Sequence, residues 1–378
     1  MKKRIIWPVA ILILGGAFLS FFFFPCATRP KKEGPFIVRV RIRHNADELT
    51  FVSSEGCKVQ DGGVEEILPA GLKINLNKDT FASGGLKVFP LDDGFLSLNG
   101  RTYRGEIDIV KKESGFDVIN RVELEDYLKG VLPREMNHLW PSSALRAQAI
   151  ASRSFAVHEA LRRKGKEYDL TADSFSQVYG GKTSEKWRTT RAVEATRGKV
   201  LEYKGKIFPA YFHSCCGGHT ENAARLWNEG LAPLKGTRCS WCRWSPHFRW
   251  MTRISTKEIL KKLKGKGYDI KRIDSIKTGK RDASGRVEYV SLKSGNRWLE
   301  IKTNDFCSAV GRKSLRSSKF RIKKYPFFYL FSGHGWGHGV GMCQWGAFGL
   351  ALRWWNYKKI LAYYYPGTKI VNLGKVLK

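Results

Sequence analysis

The sequence predicts an α+β fold, because strand-like and helix-like patterns are both present without the regular alternation of a parallel α/β sheet. Over residues 37–110, apolar side chains alternate with charged ones, and Asn-Gly and Asp-Gly turn signals recur between these stretches. Helical patterns begin further along the chain, and the longest runs over 143–164. We therefore expect a β-rich N-terminal region over 37–117 and a mixed α+β core over 118–378.

Capping residues and glycines predict the shorter elements of the core. Asn120 and Glu123 have the spacing of a capping box, so a helix is expected over 123–129 with Gly130 as its stop. Three more elements are expected: a helix over 185–197, a hairpin around Lys204-Gly205, and a helix from a Ser255–Glu258 capping box to Gly265. Short strands follow, and we expect 251–330 to form an inserted α+β subdomain.

The charge of the chain indicates an anionic partner. Basic residues outnumber acidic ones by 67 to 34, which gives a formal net charge of +33. An enzyme acting on neutral metabolites has no need of this imbalance. Nucleic acid, an acidic membrane face and an acidic cell-wall polymer would each explain it, and a generally basic proteome is the alternative without a partner.

The N-terminus favours some of these partners over others. Basic residues at 2–4 precede an uncharged run over 5–24, which is long enough to cross a hydrocarbon core of about 30 Å as a helix. We expect an uncleaved signal anchor over 1–24, with a cleaved signal peptide as the alternative, and a linker over 25–36. The rest of the chain is then expected on the extracytoplasmic (periplasmic or external) side of the cell membrane, which argues against nucleic acid.

Glu135 is the most informative acid in the sequence. It lies between a short predicted helix and the long one, among apolar neighbours such as Pro133, Met136 and Trp140. Apolar surroundings disfavour the ionised carboxylate and raise its pKa, so that the group can donate a proton near neutral pH. A surface carboxylate that pairs with Arg134 is the alternative, and the local sequence leaves it open.

Residues 213–221 combine two adjacent glycines with polar side chains and cysteines. The glycines permit a close approach of the backbone to a ligand, and a tight turn with satisfied polar groups is the alternative. The pairs Cys216-x-x-His219 and Cys239-x-x-Cys242 have the spacing of a zinc ribbon. A structural zinc site, a disulfide between the pairs and free buried thiols are all compatible with this spacing.

Glycine occupies every second position from 333 to 341, with histidines at 334 and 338. Such a run does not fit an ordinary strand or helix, but it fits a backbone that passes close to a ligand or to another chain segment. Trp336 and Trp345 offer flat apolar faces of the kind on which sugar rings stack. A ligand site and a tightly packed crossing of the core are equally supported.

Taken together, these blocks resemble the stage II sporulation protein D family, which includes the LytB-like amidase enhancers. The Pro-Arg-Glu-Met stretch around Glu135 and the glycine–histidine block are the specific matches. The matching stretches follow the family's order from about residue 118 to the C-terminus: 131–136, 140–155, 176–181, 212–221, 245–250, 335–347 and 363–368.

The resemblance implies a lytic transglycosylase of the cell envelope. Such an enzyme cleaves peptidoglycan glycan strands between N-acetylmuramic acid and N-acetylglucosamine and leaves anhydromuramic ends, in septal or envelope remodelling during sporulation or cell division. Glu135 is implied as the single catalytic acid and base, and no cofactor is required. The implied substrate is a strand from which a partner cell-wall amidase has removed the stem peptides.

The resemblance and the glycine placement also suggest which residues contact the substrate. We expect substrate-binding roles for Arg134, Gln148, Arg153, Gln177, Tyr179, His213, Ser214, Gly217, Gly218, Thr220, Glu221, His334, Trp336, His338 and Gln344. Some members bind zinc through a His-Cys pair directly ahead of the Gln-Val-Tyr stretch. Phe175-Ser176 stands there in this chain, so that zinc site is not expected.

Two other functions compete with the enzyme. One is a non-catalytic glycan-binding enhancer that recruits or stimulates an amidase. The other is an envelope protein that binds DNA or acts as a scaffold. A pure binder does not need the carboxyl of Glu135, and a DNA-binding protein gives no reason for the block over 333–347.

Overall fold

The computed structural model describes residues 34–77, 79–80, 84–227 and 230–377. The described residues from Pro35 onwards group together by their internal contacts. The predicted signal anchor and most of the predicted linker lie outside the described residues. Within the described ranges, no helix is both long enough and apolar enough to cross a membrane.

The N-terminal region is built of strands because apolar and polar residues alternate along it. In the first strand, Val38 and Val40 have no exposed surface, whereas Arg39 and Arg41, which alternate with them, are partly exposed. The strands are β1 (Ile37–Ala46), β2 (Glu48–Ser53), β3 (Cys57–Asp61), β4 (Val64–Leu68), β5 (Lys73–Asn77), β6 (Gly85–Pro90), β7 (Leu96–Leu98), β8 (Arg101–Tyr103), β9 (Glu106–Lys112) and β10 (Gly115–Glu123).

Two sheets organise these strands. β11 (Leu170–Thr171) pairs in parallel with β1 and extends a seven-stranded sheet of order β11-β1-β10-β9-β6-β3-β4. The second sheet has four strands in the order β5-β2-β7-β8. The expected β-rich character of this region is therefore confirmed.

Helices and short strands alternate irregularly over the remainder. The helices are α1 (Leu124–Glu135), α2 (Ser142–Arg162), α3 (Trp187–Glu194), α4 (Ala223–Trp227), α5 (Thr256–Lys264), α6 (Thr303–Val310), α7 (Gln344–Ala351), α8 (Tyr357–Tyr364) and α9 (Leu373–Val376). The strands are β12 (Lys199–Tyr203), β13 (Lys206–Ile207), β14 (Phe212–His213), β15 (Arg249–Ser255), β16 (Ser275–Thr278), β17 (Tyr289–Ser294), β18 (Arg297–Lys302), β19 (Phe320–Lys324), β20 (Phe328–His334), β21 (Met342–Cys343) and β22 (Lys369–Asn372).

Helix α2 lies at the centre of the larger hydrophobic core. Its alanines, among them Ala147, Ala149 and Ala151, have no exposed surface. Small side chains on several faces let α1, α3, α7, α8 and β12 all contact the same helix. A second group of buried apolar side chains lies between Trp250 and Phe331 and is formed by β15–β20, α5 and α6. The division of the chain into the domains expected above stays a prediction.

Several predictions from the sequence are confirmed. The fold is α+β, the long helix is α2, and β12 and β13 form the hairpin around Lys204-Gly205. The Ser255 side chain accepts a hydrogen bond from the backbone N–H of Glu258, 3.1 Å away, at the start of α5.

Other predictions of local structure are wrong. Asn120 does not cap a helix, because it lies in β10 and its amide donates to the carbonyls of Arg104 and Glu106. Gly130 does not end α1, which continues to Glu135. A Cβ at Gly130 would lie 2.6 Å from the Tyr179 ring, so this glycine permits close packing.

Three further elements differ from the prediction. Helix α3 is shorter than expected, and α6 lies where only strands were predicted. Strand β20 includes Gly333 and His334, so the alternating-glycine block is irregular only from residue 335 onwards.

Candidate functional site

Three chain segments hold the carboxyl group of Glu135. Glu135 is the last residue of α1. Its Oε1 accepts a hydrogen bond from the backbone N–H of Val178, 2.9 Å away, and its Oε2 accepts one from Nε2 of Gln344 at 3.3 Å. Because these donors come from the loop after β11 and from the first residue of α7, the carboxyl marks the point where distant parts of the chain meet.

The surroundings of Glu135 favour its protonated form. Burial raises the pKa of this carboxyl above its ordinary value, although the hydrogen bonds from Val178 and Gln344 act in the opposite direction. Both donors are uncharged, and Glu135 takes part in none of the ion pairs formed among the described residues. A carboxyl with a raised pKa and access to a cleft is a suitable proton donor near neutral pH.

Glu135 opens onto a cleft of about 570 Å³. The C-terminal half of α2 forms part of its lining through Phe155 and Glu159. Aromatic side chains contribute a large share of the rest, and the lining as a whole comprises Glu135, Phe155, Glu159, Arg162, Ser174, Phe175, Ser176, Val178, Tyr211, Phe212, His213, Trp227, Gly337 and His338. Aromatic faces next to hydroxyl and imidazole groups form a surface that suits a sugar chain.

Two histidines of the cleft are neutral at ordinary pH. Burial lowers the pKa of His338 to about 4 and that of His213 well below its ordinary value. Nδ1 of His213 lies 3.0 Å from the carbonyl oxygen of Val340 and must carry the proton, which leaves Nε2 as an acceptor. This buried Nε2 has no hydrogen-bond partner among the described residues. A hydroxyl or amide N–H of a ligand would satisfy it.

Several predicted substrate-binding residues lie beneath the cleft. Gln177 accepts a hydrogen bond from the hydroxyl of Tyr127 at 3.0 Å and donates to the carbonyl of Ser152 at 3.2 Å. Gln148 donates to the Ser152 hydroxyl at 3.0 Å. Both glutamines are fully buried and do not line the cleft. Gln177 fixes the loop that carries Val178, whereas the hydrogen bond of Gln148 stays within α2.

Three more of the predicted substrate-binding residues do not line the Glu135 cleft: Arg153, Arg134 and Tyr179. The side chain of Arg153 has no exposed surface and forms an ion pair with Glu125. Arg134 and Tyr179 line a neighbouring cavity of about 340 Å³. The hydroxyl of Tyr179 donates to Asn120 at 2.9 Å, so its polar end is already used within the protein.

In most of the 213–221 segment and the glycine block, the two backbones pack directly against each other. A Cβ at Gly335, where φ is +82°, would lie 2.6 Å from the carbonyl of Cys215, and one at Gly217 would lie 2.8 Å from the backbone of His334. The backbone N–H of Cys239 donates to Gly218. The interpretation as a packed crossing is therefore correct for most of this block, whereas Gly337 and His338 line the cleft.

The other residues predicted from these two segments lie away from the cleft. Trp336 packs edge-on against His247, with ring centroids 4.3 Å apart. His334 lines a separate cavity of about 830 Å³, and the backbone carbonyl of Ser214 accepts from Trp345. The hydroxyl of Thr220 lies 2.7 Å from the backbone N–H of Thr237 and accepts its hydrogen bond.

Glu221 is a second acid with a perturbed pKa, but it is not in the Glu135 cleft. Burial, reinforced by the nearby Asp282, raises its pKa to about 7. Its carboxylate oxygens accept hydrogen bonds from the backbone of Asn222 and the hydroxyl of Ser284. Its contacts are thus with the protein itself.

Two parts of the site were missed from the sequence. The backbone N–H of Val178 leaves no signal in residue identity, although Val178 lies within the 176–181 stretch that carries the resemblance. The aromatic lining from Phe155, Tyr211, Phe212 and Trp227 follows from the fold, because α2, β14 and α4 meet there.

Four cysteines form a buried cluster, which we call the four-cysteine cluster: Cys216, Cys239, Cys242 and Cys343. Their sulfur atoms all lie within 4.8 Å of one another, and this donor set can hold a metal ion. The predicted ligand His219 is wrong for this cluster, since its Nδ1 lies 2.7 Å from the carbonyl of Thr220. Cys343, from the glycine block, takes its place.

Comparison with known proteins defines the class to which this fold and site belong. A family profile described as "Stage II sporulation protein" matches residues 112–203, which include Glu135 and the loop of Val178. A profile for a domain of unknown function matches residues 239–341.

Individual relatives extend this match. The chain is 31% identical to the stage II sporulation protein D of Bacillus subtilis (strain 168) over 267 residues, which cover 67% of this chain and 75% of that protein. It therefore belongs to the stage II sporulation protein D family. An uncharacterized protein of Brachyspira hyodysenteriae is 35% identical over 82% of each chain. The amidase enhancer of B. subtilis is 29% identical over 82% of this chain, which spans only half of that protein's length.

Proposed function

We propose that this protein is a lytic transglycosylase that cleaves peptide-free glycan strands of peptidoglycan between N-acetylmuramic acid and N-acetylglucosamine. The observation that carries the proposal is the carboxyl of Glu135, which faces an aromatic cleft with a raised pKa and only neutral hydrogen-bond donors. The uncharged segment over 5–24 supports a membrane anchor, with the catalytic part on the extracytoplasmic side.

One carboxyl is sufficient for the reaction. Protonated Glu135 donates its proton to the glycosidic oxygen while the bond from that oxygen to the muramic anomeric carbon breaks. The resulting carboxylate then accepts the proton of the muramic O6 hydroxyl as O6 attacks the anomeric carbon. An anhydromuramic end forms, the proton returns to Glu135, and no water is consumed, so the second acid of a hydrolase is not needed.

The two oxygens of Glu135 have different tasks in this scheme. Val178 N–H and Gln344 Nε2 are both donors, at 2.9 Å from Oε1 and 3.3 Å from Oε2. We assign the transferable proton to Oε2, because its hydrogen bond is the longer and weaker one. The longer hydrogen bond from Gln344 to Oε2 stabilises the carboxylate after proton transfer. Hydrogen bonds therefore hold the carboxyl of Glu135 in place both before and after it gives up its proton.

The cleft also supports binding of a glycan. Phe212 and Trp227 offer apolar ring faces, and the free Nε2 of His213 accepts a hydrogen bond from a sugar hydroxyl or acetamido N–H. A cell-wall amidase is the expected partner, because it supplies strands without stem peptides.

The decisive experiment examines the ends of the product. Purified full-length protein, wild type and Glu135→Gln, is incubated with glycan strands from which an amidase has removed the peptides, and the products are analysed by mass spectrometry. We expect anhydromuramic ends from the wild type and none from Glu135→Gln. Asp126→Asn is the matched control, since Asp126 lies on the same helix, in a partly buried ion pair with Lys129. Wild-type protein that yields no such ends overturns the proposal.

A glycan-binding enhancer is the second candidate, and the relative named amidase enhancer favours it. In that case wild type and Glu135→Gln would bind peptide-free glycan equally and would stimulate an added amidase equally. Neither would leave anhydromuramic ends.

A further inference from the structure

The four-cysteine cluster joins three segments that are distant in the sequence. Cys216 lies in the loop after β14, Cys239 and Cys242 precede β15, and Cys343 is the N-cap of α7. All four are fully buried. We propose that the cluster binds one Zn²⁺ ion as a closed tetrathiolate site and that the ion positions Gln344 against Glu135.

The size of the cluster fits a single ion. Zinc–sulfur bonds of about 2.3 Å in a tetrahedron place the sulfur atoms about 3.8 Å apart. The cluster's sulfurs lie within 4.8 Å of one another, and those of Cys216 and Cys242 are 3.5 Å apart. An iron–sulfur cluster places inorganic sulfide between its metals and therefore needs more widely spaced cysteines. Binding one ion releases the thiol protons to solvent and leaves four thiolates on the metal.

Donors around the sulfurs are arranged as expected for thiolates. The backbone N–H groups of Cys216 and Gly346 each lie 3.3 Å from Sγ of Cys343, and the hydroxyl of Tyr364 lies 3.2 Å from Sγ of Cys239. Such donors orient and stabilise metal-bound sulfur. A Cβ at Gly346 would lie 2.8 Å from Sγ of Cys239 and would clash with the Tyr364 hydroxyl, so glycine is required there.

The charge around the cluster supports an anionic centre. Arg286 is buried, and its guanidinium donates to the carbonyls of Cys216 and His219 at 3.1 Å each. Lys319 donates to the carbonyl of Gly217 at 3.0 Å. Among the described residues, no carboxylate lies within 4.0 Å of either cation. Asp282 interacts electrostatically with both cations from a greater distance. A tetrathiolate zinc site carries a net charge of −2 and would further offset the cost of burying Arg286 and of partly burying Lys319.

The site has a direct connection to the cleft. Cys343 immediately precedes Gln344, the residue that donates to Oε2 of Glu135. An ion bound to Cys343 fixes the start of α7 and with it the amide of Gln344. Cys343 is therefore a positioning residue, and this part of the inference rests on the proposed function.

The first test measures metal in the full-length protein, purified under reducing conditions from zinc-supplemented cells. We expect one zinc per chain by mass spectrometry of the elements, and four sulfur ligands at about 2.3 Å by X-ray absorption. Iron in place of zinc, a nitrogen ligand, four free thiols without metal, or two disulfides among the four cysteines would each overturn the assignment. The wild-type spectrum decides the question even if a cysteine variant fails to accumulate.

Three variants test the set of ligands. Cys343→Ser should retain less than about one tenth of the zinc. His219→Ala should retain all of it, which separates this site from the one expected from the sequence. Cys215→Ser is the matched control, because Cys215 is a fifth buried cysteine whose sulfur points to the carbonyl of Cys242 at 3.9 Å. Loss of zinc from Cys215→Ser or His219→Ala would contradict the proposed ligands.

A second test concerns positioning. Removal of zinc should lower kcat for peptide-free glycan by about tenfold or more and change KM less than about threefold, and added zinc should restore kcat. Equal changes in kcat and KM, or no change in either, would overturn the positioning role. If the wild type has no lytic activity, the proposed function fails, while the metal measurements still decide whether the site exists.

Discussion

Helix α1 carries two acids whose surroundings are opposite. Near its first turn, both carboxylate oxygens of Glu125 accept hydrogen bonds from Arg153, at 2.8 and 2.7 Å. At its last residue, Glu135 accepts hydrogen bonds from the backbone of Val178 and the amide of Gln344. One carboxyl is thus paired with a buried cation and the other is held by neutral groups.

The difference separates a structural role from a chemical one. The guanidinium of Arg153 donates to both oxygens of Glu125, and this bidentate pair links α1 to α2. Glu135 is oriented equally well, but nothing beside it compels ionisation, and burial raises its pKa. A general acid and base must be held in place without a neighbouring cation that fixes its charge, and Glu135 meets this requirement.

The largest expected effect comes from Glu135→Gln. The amide retains the shape of the side chain but cannot transfer a proton, so kcat should fall by about 10²- to 10⁴-fold. A raised folded-state pKa means that ionising Glu135 costs stability as the pH rises above the ordinary value of a carboxyl. The free energy of unfolding of Glu135→Gln at neutral pH should therefore equal or exceed that of the wild type in urea titrations. A marked loss of stability would show that Glu135 is structural as well.

The converse result is expected for Glu125→Gln. This change leaves the guanidinium of Arg153 buried without its partner, so the free energy of unfolding should fall by about 3–5 kcal/mol. The double variant Glu125→Gln/Arg153→Met removes both charges and should recover part of the loss. Urea titrations of all four proteins complete the cycle. If both single variants leave stability unchanged, the contrast between the two ends of α1 is incorrect.

The sequence indicated Glu135 as the candidate catalytic acid, but it did not show which of the other candidate residues face the cleft. Its apolar surroundings and the resemblance both pointed to it. Arg153 was expected to contact substrate, and only the fold shows that it faces Glu125. Pairing partners 28 residues apart in sequence have no local signal, whereas a capping box such as Ser255–Glu258 is local and was predicted correctly.

The glycine pattern predicted that the backbone passes close to another group, but it did not show whether that group is a ligand or part of the protein. The alternating glycines predicted a near approach to a ligand or to another chain segment. At Gly335 the near neighbour is Cys215, and at Gly346 it is Tyr364 and the sulfur of Cys239. Cys343 belongs to the four-cysteine cluster for the same reason, because the fold brings its segment against residues 215–217, whereas sequence spacing had favoured His219.

A smaller effect than those above is expected when Gln344 is changed to alanine, which should lower kcat by about tenfold, as zinc removal does, and should also shift the dependence of kcat on pH. Its hydrogen bond lowers the pKa of Glu135, so removing it raises that pKa further above the ordinary value. Because the proposed reaction begins with protonated Glu135, the falling limb of kcat against pH should move to higher pH. The profile of kcat from pH 5 to 9 provides the measurement, with Gln344→Glu avoided because it adds a charge. A limb that moves to lower pH would mean that the contact favours the protonated acid.

The smallest expected effect is that of salt on kcat/KM. It separates the contribution of exposed charges from that of the buried carboxyls Glu125 and Glu135. The chain carries 67 basic and 34 acidic residues, and exposed charges are screened over about 8–10 Å at physiological ionic strength. Capture of the glycan, which carries muramic carboxylates, should weaken, so kcat/KM should fall several-fold between about 0.05 and 0.3 M salt. The kcat should stay nearly constant, because Glu135 is not oriented by exposed charges and the Glu125–Arg153 pair is buried. Glycan with its carboxyls reduced to alcohols is the control and should show little salt dependence. If kcat falls in parallel with kcat/KM, salt acts on the site itself, and the separation of steering from proton transfer does not hold.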